Sequence, residues 1–190
     1  MSDPAPHGGD DEALERVLVA AQAGAGWAFE RLYDHLAPAV TRYLRLQGAS
    51  DPESLANEVM LQVFRGLGTF EGGLPQLRSW VFTIAHRRGI DDHRRRSARP
   101  RTSELDRQHQ QLGGDVEREA MDGIEDAGVH AMVGGLTDDQ RAVVLLRVVA
   151  DLSVAEVADL LGKRPGAVKM LQRRGLARLR RIIEREGVTR

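Results

Sequence analysis

The residues best suited to chemistry in this 190-residue chain are cations and amides rather than nucleophiles. Near the C-terminus, Lys169, Gln172 and Arg173 fall on the outer side of a helical stretch. Arg164 stands at its mouth, and Arg174, Arg178, Arg180 and Arg181 continue the basic face. Such side chains read base edges in a DNA major groove and hold phosphates. A second cluster lies upstream, where Arg87, Arg94, Arg95 and Arg96 follow Trp80, Phe82 and His86. An aromatic ring beside guanidinium groups can stack on unpaired bases or wedge between them. Phe82, with Ser79, Thr83 and His86 as neighbours, falls off the apolar stripe of its helix and is the expected stacking residue. The alternative for Phe82 is a lid over a neighbouring helix. Trp80 lies inside the stripe and reads as core first and base contact second.

Other chemistries lack residues. His86, Asp91, Asp92 and His93 carry metal-ligand atoms. However, seven residues of helix separate the two imidazoles by about 10.5 Å, too far for one ion with ligands near ~2 Å. The chain has no cysteine, which excludes disulfides, Cys-ligated zinc, iron–sulfur clusters and thiol nucleophiles. No phosphate-cradling loop, nucleophile elbow or paired catalytic carboxylates occurs. No enzyme activity and no cofactor are therefore expected. The acidic, polar N-terminus does not read as a signal peptide, and no apolar run approaches a membrane span, so a cytoplasmic protein without membrane insertion is expected.

The net charge of −1 conceals a strong segregation. Residues 1–75 carry 5 basic and 11 acidic groups, and residues 76–101 carry 8 and 2. Residues 102–135 carry 2 and 8, and residues 136–190 carry 12 and 7. Two separated cationic blocks fit a polyanion binder with two sites, although Arg-rich helices can also be plain solvated faces.

The elements that must position these groups are helical. Aromatics make up only 4% of residues, so cores are packed with Leu, Val and Ala. Leu14, Val17, Leu18 and Ala21 form one short amphipathic helix. Phe29, Leu32, Tyr33, Leu36, Val40, Tyr43 and Leu44 form the apolar side of a longer one that Gly48 ends. Asp51 and Pro52 start a third helix, because Asp accepts open first-turn amides and Pro suits the first helical position. Its stripe is Leu55, Val59, Met60, Val63, Phe64 and Leu67. A glycine-rich loop follows, and then a helix from about Gln76 to Arg96 with Leu77, Trp80, Val81, Ile84 and Ala85 facing the core. Residues 98–116 are polar with little to bury and read as a flexible linker. Beyond it come a weak helix near 117–132 and helices near 138–149, 153–161 and 165–184. The fold class is thus all-α, with two small helical domains at 11–97 and 117–190, after a disordered stretch at 1–10.

Ser153 and Glu156 form an S-x-x-E capping box. Gly162 then supplies the positive φ for a sharp exit, and a second helix begins three residues on. Ala158, Gly162, Val168 and Leu171 have the spacing of a helix-turn-helix, in which a small residue allows close crossing and the later apolar residues pack the second helix on the first. A plain αα-hairpin with a solvated basic face is the alternative.

Three motifs, taken together from about Leu14 to Ile183, resemble the extracytoplasmic-function group of bacterial sigma factors. The run from Asp51 to Phe64 resembles the family's D-L-x-Q-E-V-F helix, with Ser54 where Asp is usual and Asn57 where Gln is usual. Phe70 through Arg96 resembles the helix that melts and reads the −10 element, with Arg87 where Asn is common and Gly73-Leu74-Pro75 where the loop is usually more polar. Leu136 through Arg181 resembles the domain that reads the −35 element, with Arg164 for the usual Ser and Leu171 for a common Arg, while Gly166-Ala167-Val168-Lys169 fits well.

The resemblance implies an alternative sigma factor that binds core RNA polymerase and promoter DNA. Asn57, Glu58, Leu61 and Arg65 would meet the clamp helices of the β′ subunit, and the C-terminal domain would touch the β flap. Trp80, Phe82, His86, Arg87, Arg94, Arg95 and Arg96 would serve −10 DNA, with the loop Glu71 to Gln76 capturing a flipped base. Arg164, Lys169, Gln172, Arg173 and Arg174 would serve −35 DNA. An anti-sigma factor is a further candidate partner, and polymerase binding would bring the protein to the nucleoid. The competing reading is a one-piece helix-turn-helix regulator that binds DNA without being a polymerase subunit.

Overall fold

The computed structural model describes residues 8–98 and 128–187, and no strand occurs among them. Helices α1 (Gly8–Gln22), α2 (Gly26–Leu46), α3 (Pro52–Gly66) and α4 (Leu74–Ala98) form the N-terminal group, with a short 3-10 turn at Leu67–Thr69. Residues 128–134 are helical and form α5. Then come α6 (Asp138–Val148), α7 (Val154–Leu161) and α8 (Pro165–Gly187). Helix α1 extends into the stretch 1–10, whose residues 1–7 lie outside the described residues. Beyond Ala98, which ends α4, the expected linker also lies outside them, as does the start of the expected 117–132 helix.

The helix starts follow local rules. Asp51 Oδ1 accepts the Ser54 N–H at 3.0 Å, with Pro52 in the first turn of α3. Thr137 and Gln140 make a reciprocal capping box on α6. On α7 the Glu156 N–H donates to Ser153 Oγ at 3.2 Å, and the Ser153 N–H donates back to Glu156 Oε2 at 2.7 Å. Gly162 turns the chain out of α7 at φ +62, and the Lys163 N–H closes the end on the Ala158 carbonyl at 2.8 Å.

In the N-terminal group α2 packs on α1 and α3, and α4 lies against all three. Leu32, Val40, Tyr43, Leu44, Val59, Val63, Leu77 and Val81 are fully enclosed. In the C-terminal group α6 is buried over five successive residues, Ala142 to Leu146, because α7, α8 and the N-terminal helix α2 all touch it. Helix α8 crosses α6 so closely that a Cβ on Gly175 would stand 2.8 Å from Val144 Cγ2. Ala158 and Val168 are buried where α7 and α8 meet, as a helix-turn-helix requires. The two groups touch through α2 with α6 and α4 with α7, and Arg78 pairs with Asp151 at 3.5 Å.

Candidate nucleic-acid and partner interfaces

Helix α3 divides cleanly. Ala56, Val59, Met60 and Val63 are buried, while Asn57, Glu58, Leu61 and Arg65 are all exposed along the opposite side. Leu61 leaves 50% of its surface in solvent, an apolar centre ringed by polar groups. The structure adds Tyr33 to this face, although the apolar pattern of α2 puts that residue in the core. Tyr33 is exposed, and its hydroxyl donates to Asn57 Oδ1 at 2.6 Å. Phe64 sits half-buried beside it, edge-on to Phe29 at 5.3 Å and tilted to Tyr33 at 6.5 Å. Glu58 pairs across to Arg88 of α4 at 3.5 Å.

Helix α4 departs from the sequence expectation at Phe82. The ring is 1% exposed and packs edge-on against Tyr43 at 5.5 Å, so it cannot stack on a base. The single-stripe reading fails because α4 is wrapped by α1, α2 and α3. Its buried arc spans about 200°, from Trp80 and Ile84 through Val81 and Ala85 to Phe82, rather than one narrow strip. The alternative reading of Phe82, as a lid over a neighbouring helix, is the one found. Trp80 is half-buried and stacks on Phe70, centroids 5.2 Å apart and planes 10° off parallel.

His86 is also turned inward: its Nδ1 lies 2.8 Å from the Tyr43 hydroxyl, which accepts from Gln47 Nε2 at 3.1 Å. Burial holds the imidazole below its ordinary range, so it is neutral and Nδ1 can accept the phenol proton. Burial likewise drives the Tyr43 hydroxyl well above its ordinary range, against a smaller opposing effect of Gln47.

Arg87, Arg94 and Arg95 are exposed. Arg96 is exposed too, but it is tied back, donating to the Gly48 carbonyl at 2.5 Å and pairing with Asp92 at 3.2 Å. Partial burial works against ionisation of Asp92. Two hydrogen bonds from Ser50, at 2.7 and 3.0 Å, and the charges of Arg96 and Arg95 outweigh it and hold the carboxyl below its ordinary range.

On α8 the structure follows the expected apolar side except at Gln172. Val168 and Gly175 are buried, Leu171 and Leu179 half-buried, and Arg164, Lys169, Arg173 and Arg174 exposed. Gln172 is half-buried on the flank of that face. Between the two helical groups lies a cavity of about 280 Å³, lined by Tyr43, His86, His93 and Arg94 on one side and by Asp138 and Asp139 on the other.

Two residues absent from the sequence reading act on the loop before α4. Gln22 Nε2 donates to the Phe70 carbonyl at 2.8 Å, and Glu15 Oε1 accepts the Leu74 N–H at 2.9 Å. Their spacing of seven puts both on one side of α1 beside its apolar stripe, but it does not show what that side meets.

A helical group with an exposed face around Leu61 and a basic helix, followed by a helix-turn-helix with exposed cations, has the features of a DNA-binding protein. Residues 32–99 match Sigma-70 region 2, and residues 127–179 match Sigma-70, region 4. The ECF RNA polymerase sigma factor BldN of Streptomyces coelicolor is 34% identical over 180 residues, covering 92% of this chain and 67% of that protein. ECF RNA polymerase sigma factor SigK of Mycobacterium ulcerans is 30% identical over 190 residues, covering 97% and 99%. In fold, the chain is similar to CnrH in its complex with the cytosolic domain of CnrY, with a TM-score of 0.65 at 22% identity over 90% of this chain and 97% of CnrH. It is also similar to the sigma factor RpoE of Bartonella quintana, solved with the anti-sigma factor NepR, with a TM-score of 0.60 at 18% identity over 82% and 96%.

The chain belongs to the ECF group of RNA polymerase sigma factors. It is an alternative sigma factor that directs transcription initiation, not a one-piece regulator. Sigma factors are generally non-catalytic. Among the described residues no helix is long and apolar enough to cross a membrane.

Proposed function

We propose that the three faces divide the work of initiation. The Asn57, Glu58, Leu61 and Arg65 face of α3, extended by Tyr33, docks on the clamp helices of the β′ subunit. The Glu71 to Gly73 loop and the first turn of α4 up to Gln76 hold an unpaired base of the −10 non-template strand, and Arg87, Arg94 and Arg95 neutralise the backbone beside it. Helix α8 reads the −35 element through Lys169, Gln172 and Arg173, with Arg164 and Arg174 on phosphates, and its domain meets the β flap. The division follows two helical modules, residues 11–97 and 117–190, joined by the segment 98–116. The protein does no chemistry of its own and works in the cytoplasm, at the nucleoid when polymerase-bound. An anti-sigma factor is a further partner, by analogy with RpoE and NepR.

The observation that carries the clamp assignment is Leu61, half-exposed on a helix whose other side buries Ala56, Val59, Met60 and Val63. Exposed apolar centres with polar rims mark protein contacts. Replacing Asn57 with Arg and Leu61 with Asp should weaken core polymerase binding at least thirtyfold, about 2 kcal/mol or more at a central contact. Helical content should not change. Unchanged affinity in a competition assay against the wild-type chain would remove α3 from the interface.

A further inference from the structure

One helix grips the glycine-rich loop at both ends. At the start of the loop Gln22 donates to the Phe70 carbonyl, and at its end Glu15 accepts from the Leu74 N–H. These bonds span 48 and 59 residues of sequence, yet both come from α1. Seven residues make two turns, so the two side chains leave α1 on the same side, about 10.5 Å apart.

The geometry between the grips is tight. Gly72 has φ +141, a conformation that side chains rarely adopt, and a Cβ on Gly73 would stand 2.8 Å from Glu15 Oε1. The Gly73 N–H donates to Gln76 Oε1 at 3.1 Å. Leu74 opens α4, so its N–H is one of the donors left unpaired at a helix start, and a carboxylate there also suits the positive end of the helix dipole. Phe70 is held a second time by its stack on Trp80. Helix α1 ends at Gln22, before the region 2 match begins at residue 32, so the grip comes from outside the matched segment.

We propose that Glu15 and Gln22 are positioning residues for promoter selectivity, holding the Phe70 to Leu74 loop in the one shape that accepts a particular unpaired −10 base. The inference rests on reading this loop as the base-holding element. A Gly-Gly loop without anchors must be ordered when DNA binds, and it adapts to a wrong base as readily as to a right one. Anchored at both ends, it meets the base already shaped.

The test uses holoenzyme reconstituted with the full chain and a DNA pool randomised in the −35 duplex and in a pre-melted −10 non-template strand. Bound molecules are sequenced. Replacing Glu15 and Gln22 together with Leu should lower the preference at one −10 position about tenfold, the worth of two modest hydrogen bonds, and leave every −35 preference unchanged. Glu15→Gln keeps an acceptor for the Leu74 N–H and should preserve the preference. Gly73→Ala should displace the Glu15 carboxylate and flatten the same position. If the double variant does not fold, Gln22→Ala carries the test alone, with about a threefold loss.

A loop variant, Glu71→Ala with Gly72→Ala, separates the two ideas. If it flattens a −10 position while the α1 variants do not, the grip is wrong and the reading of the loop stands. If neither changes any −10 preference, both fall. Equal losses at −10 and −35 positions would reduce Glu15 and Gln22 to general supports of the fold and overturn the proposal.

Discussion

Helices α4 and α8 carry the two basic faces, and the fold consumes very different shares of them. Helix α4 buries Leu74, Leu77, Val81, Phe82, Ile84 and Ala85, then ties Arg96 to Gly48 and Asp92 to Ser50. Helix α8 fully buries Val168 and Gly175 and rests half-buried Leu171 and Leu179 on its neighbours, with Lys169, Arg173, Arg174 and Arg178 left in solvent. On α8 the packed side takes in Val168, Leu171, Gly175, Leu179 and the half-buried Gln172, and the exposed cations Lys169, Arg173 and Arg174 lie away from it. On α4 packed and exposed residues alternate within a turn, with inward His86 beside outward Arg87. A substitution at an exposed cation of α8 therefore leaves the packing intact, whereas one on α4 reaches the fold first.

The largest effect that tests this contrast is Phe82→Ala. Emptying an enclosed aromatic site costs about 3–5 kcal/mol, a large fraction of the roughly 5–15 kcal/mol that holds a typical domain. Urea unfolding followed by circular dichroism should show the loss, with core binding and promoter opening failing together. Arg87→Ala, five residues on and exposed, should change stability by no more than about 0.5 kcal/mol and weaken only the opened complex. A Phe82 variant as stable as wild type would return that ring to the DNA face.

A smaller effect divides α8 itself. Lys169→Ala should cost about 1–3 kcal/mol in binding and relax selectivity at one −35 position. Arg178→Ala should weaken all sequences alike and lower the salt slope by about one. Neither should alter unfolding. Indistinguishable promoter profiles for the two variants would end the distinction between reader and phosphate clamp on this helix.

The same contrast explains what was legible in the sequence. Caps and the turn are local, so Asp51, Ser153 with Glu156, and Gly162 announce their elements wherever those elements pack. Helix α8 rests on one side, so its apolar stripe and its basic face could be read directly. Helix α4 is held on several sides, and one-dimensional periodicity cannot count the neighbours that will cover a helix. For that reason the stripe leaves Phe82 outside, although its ring is buried. Tyr33 shows the opposite case, since its ring borders the apolar side of α2 while its hydroxyl reaches out to Asn57. The grip of Glu15 and Gln22 depends on α1 meeting a loop some fifty residues away, a relation that no local pattern carries.

The smallest effect sets the two modules apart by pH. His86 is held below its ordinary value of 6.5 by burial, so the folded state binds fewer protons there than the unfolded chain. A depressed folded value gives stability that is fully present above about 6.5 and is lost as pH falls through the folded value. Arg94, which lines the same cavity with His93, opposes a charge on His86, while Asp138 and Asp139 across it favour one. The net direction follows burial. Asp92 is lowered from 3.8, so its contribution is lost only in much stronger acid and does not overlap. From about pH 7.5 to about pH 5.5 the thermal midpoint of the N-terminal helices should therefore fall modestly. The fall should shrink in His86→Asn, whose side-chain oxygen can accept from Tyr43 without titrating. Helices α6, α7 and α8 contain no histidine, so their unfolding should stay flat over the same range. An equal pH slope in both modules, or an undiminished slope in His86→Asn, would show that the buried Tyr43–His86 pair does not set the acid sensitivity of the −10 module.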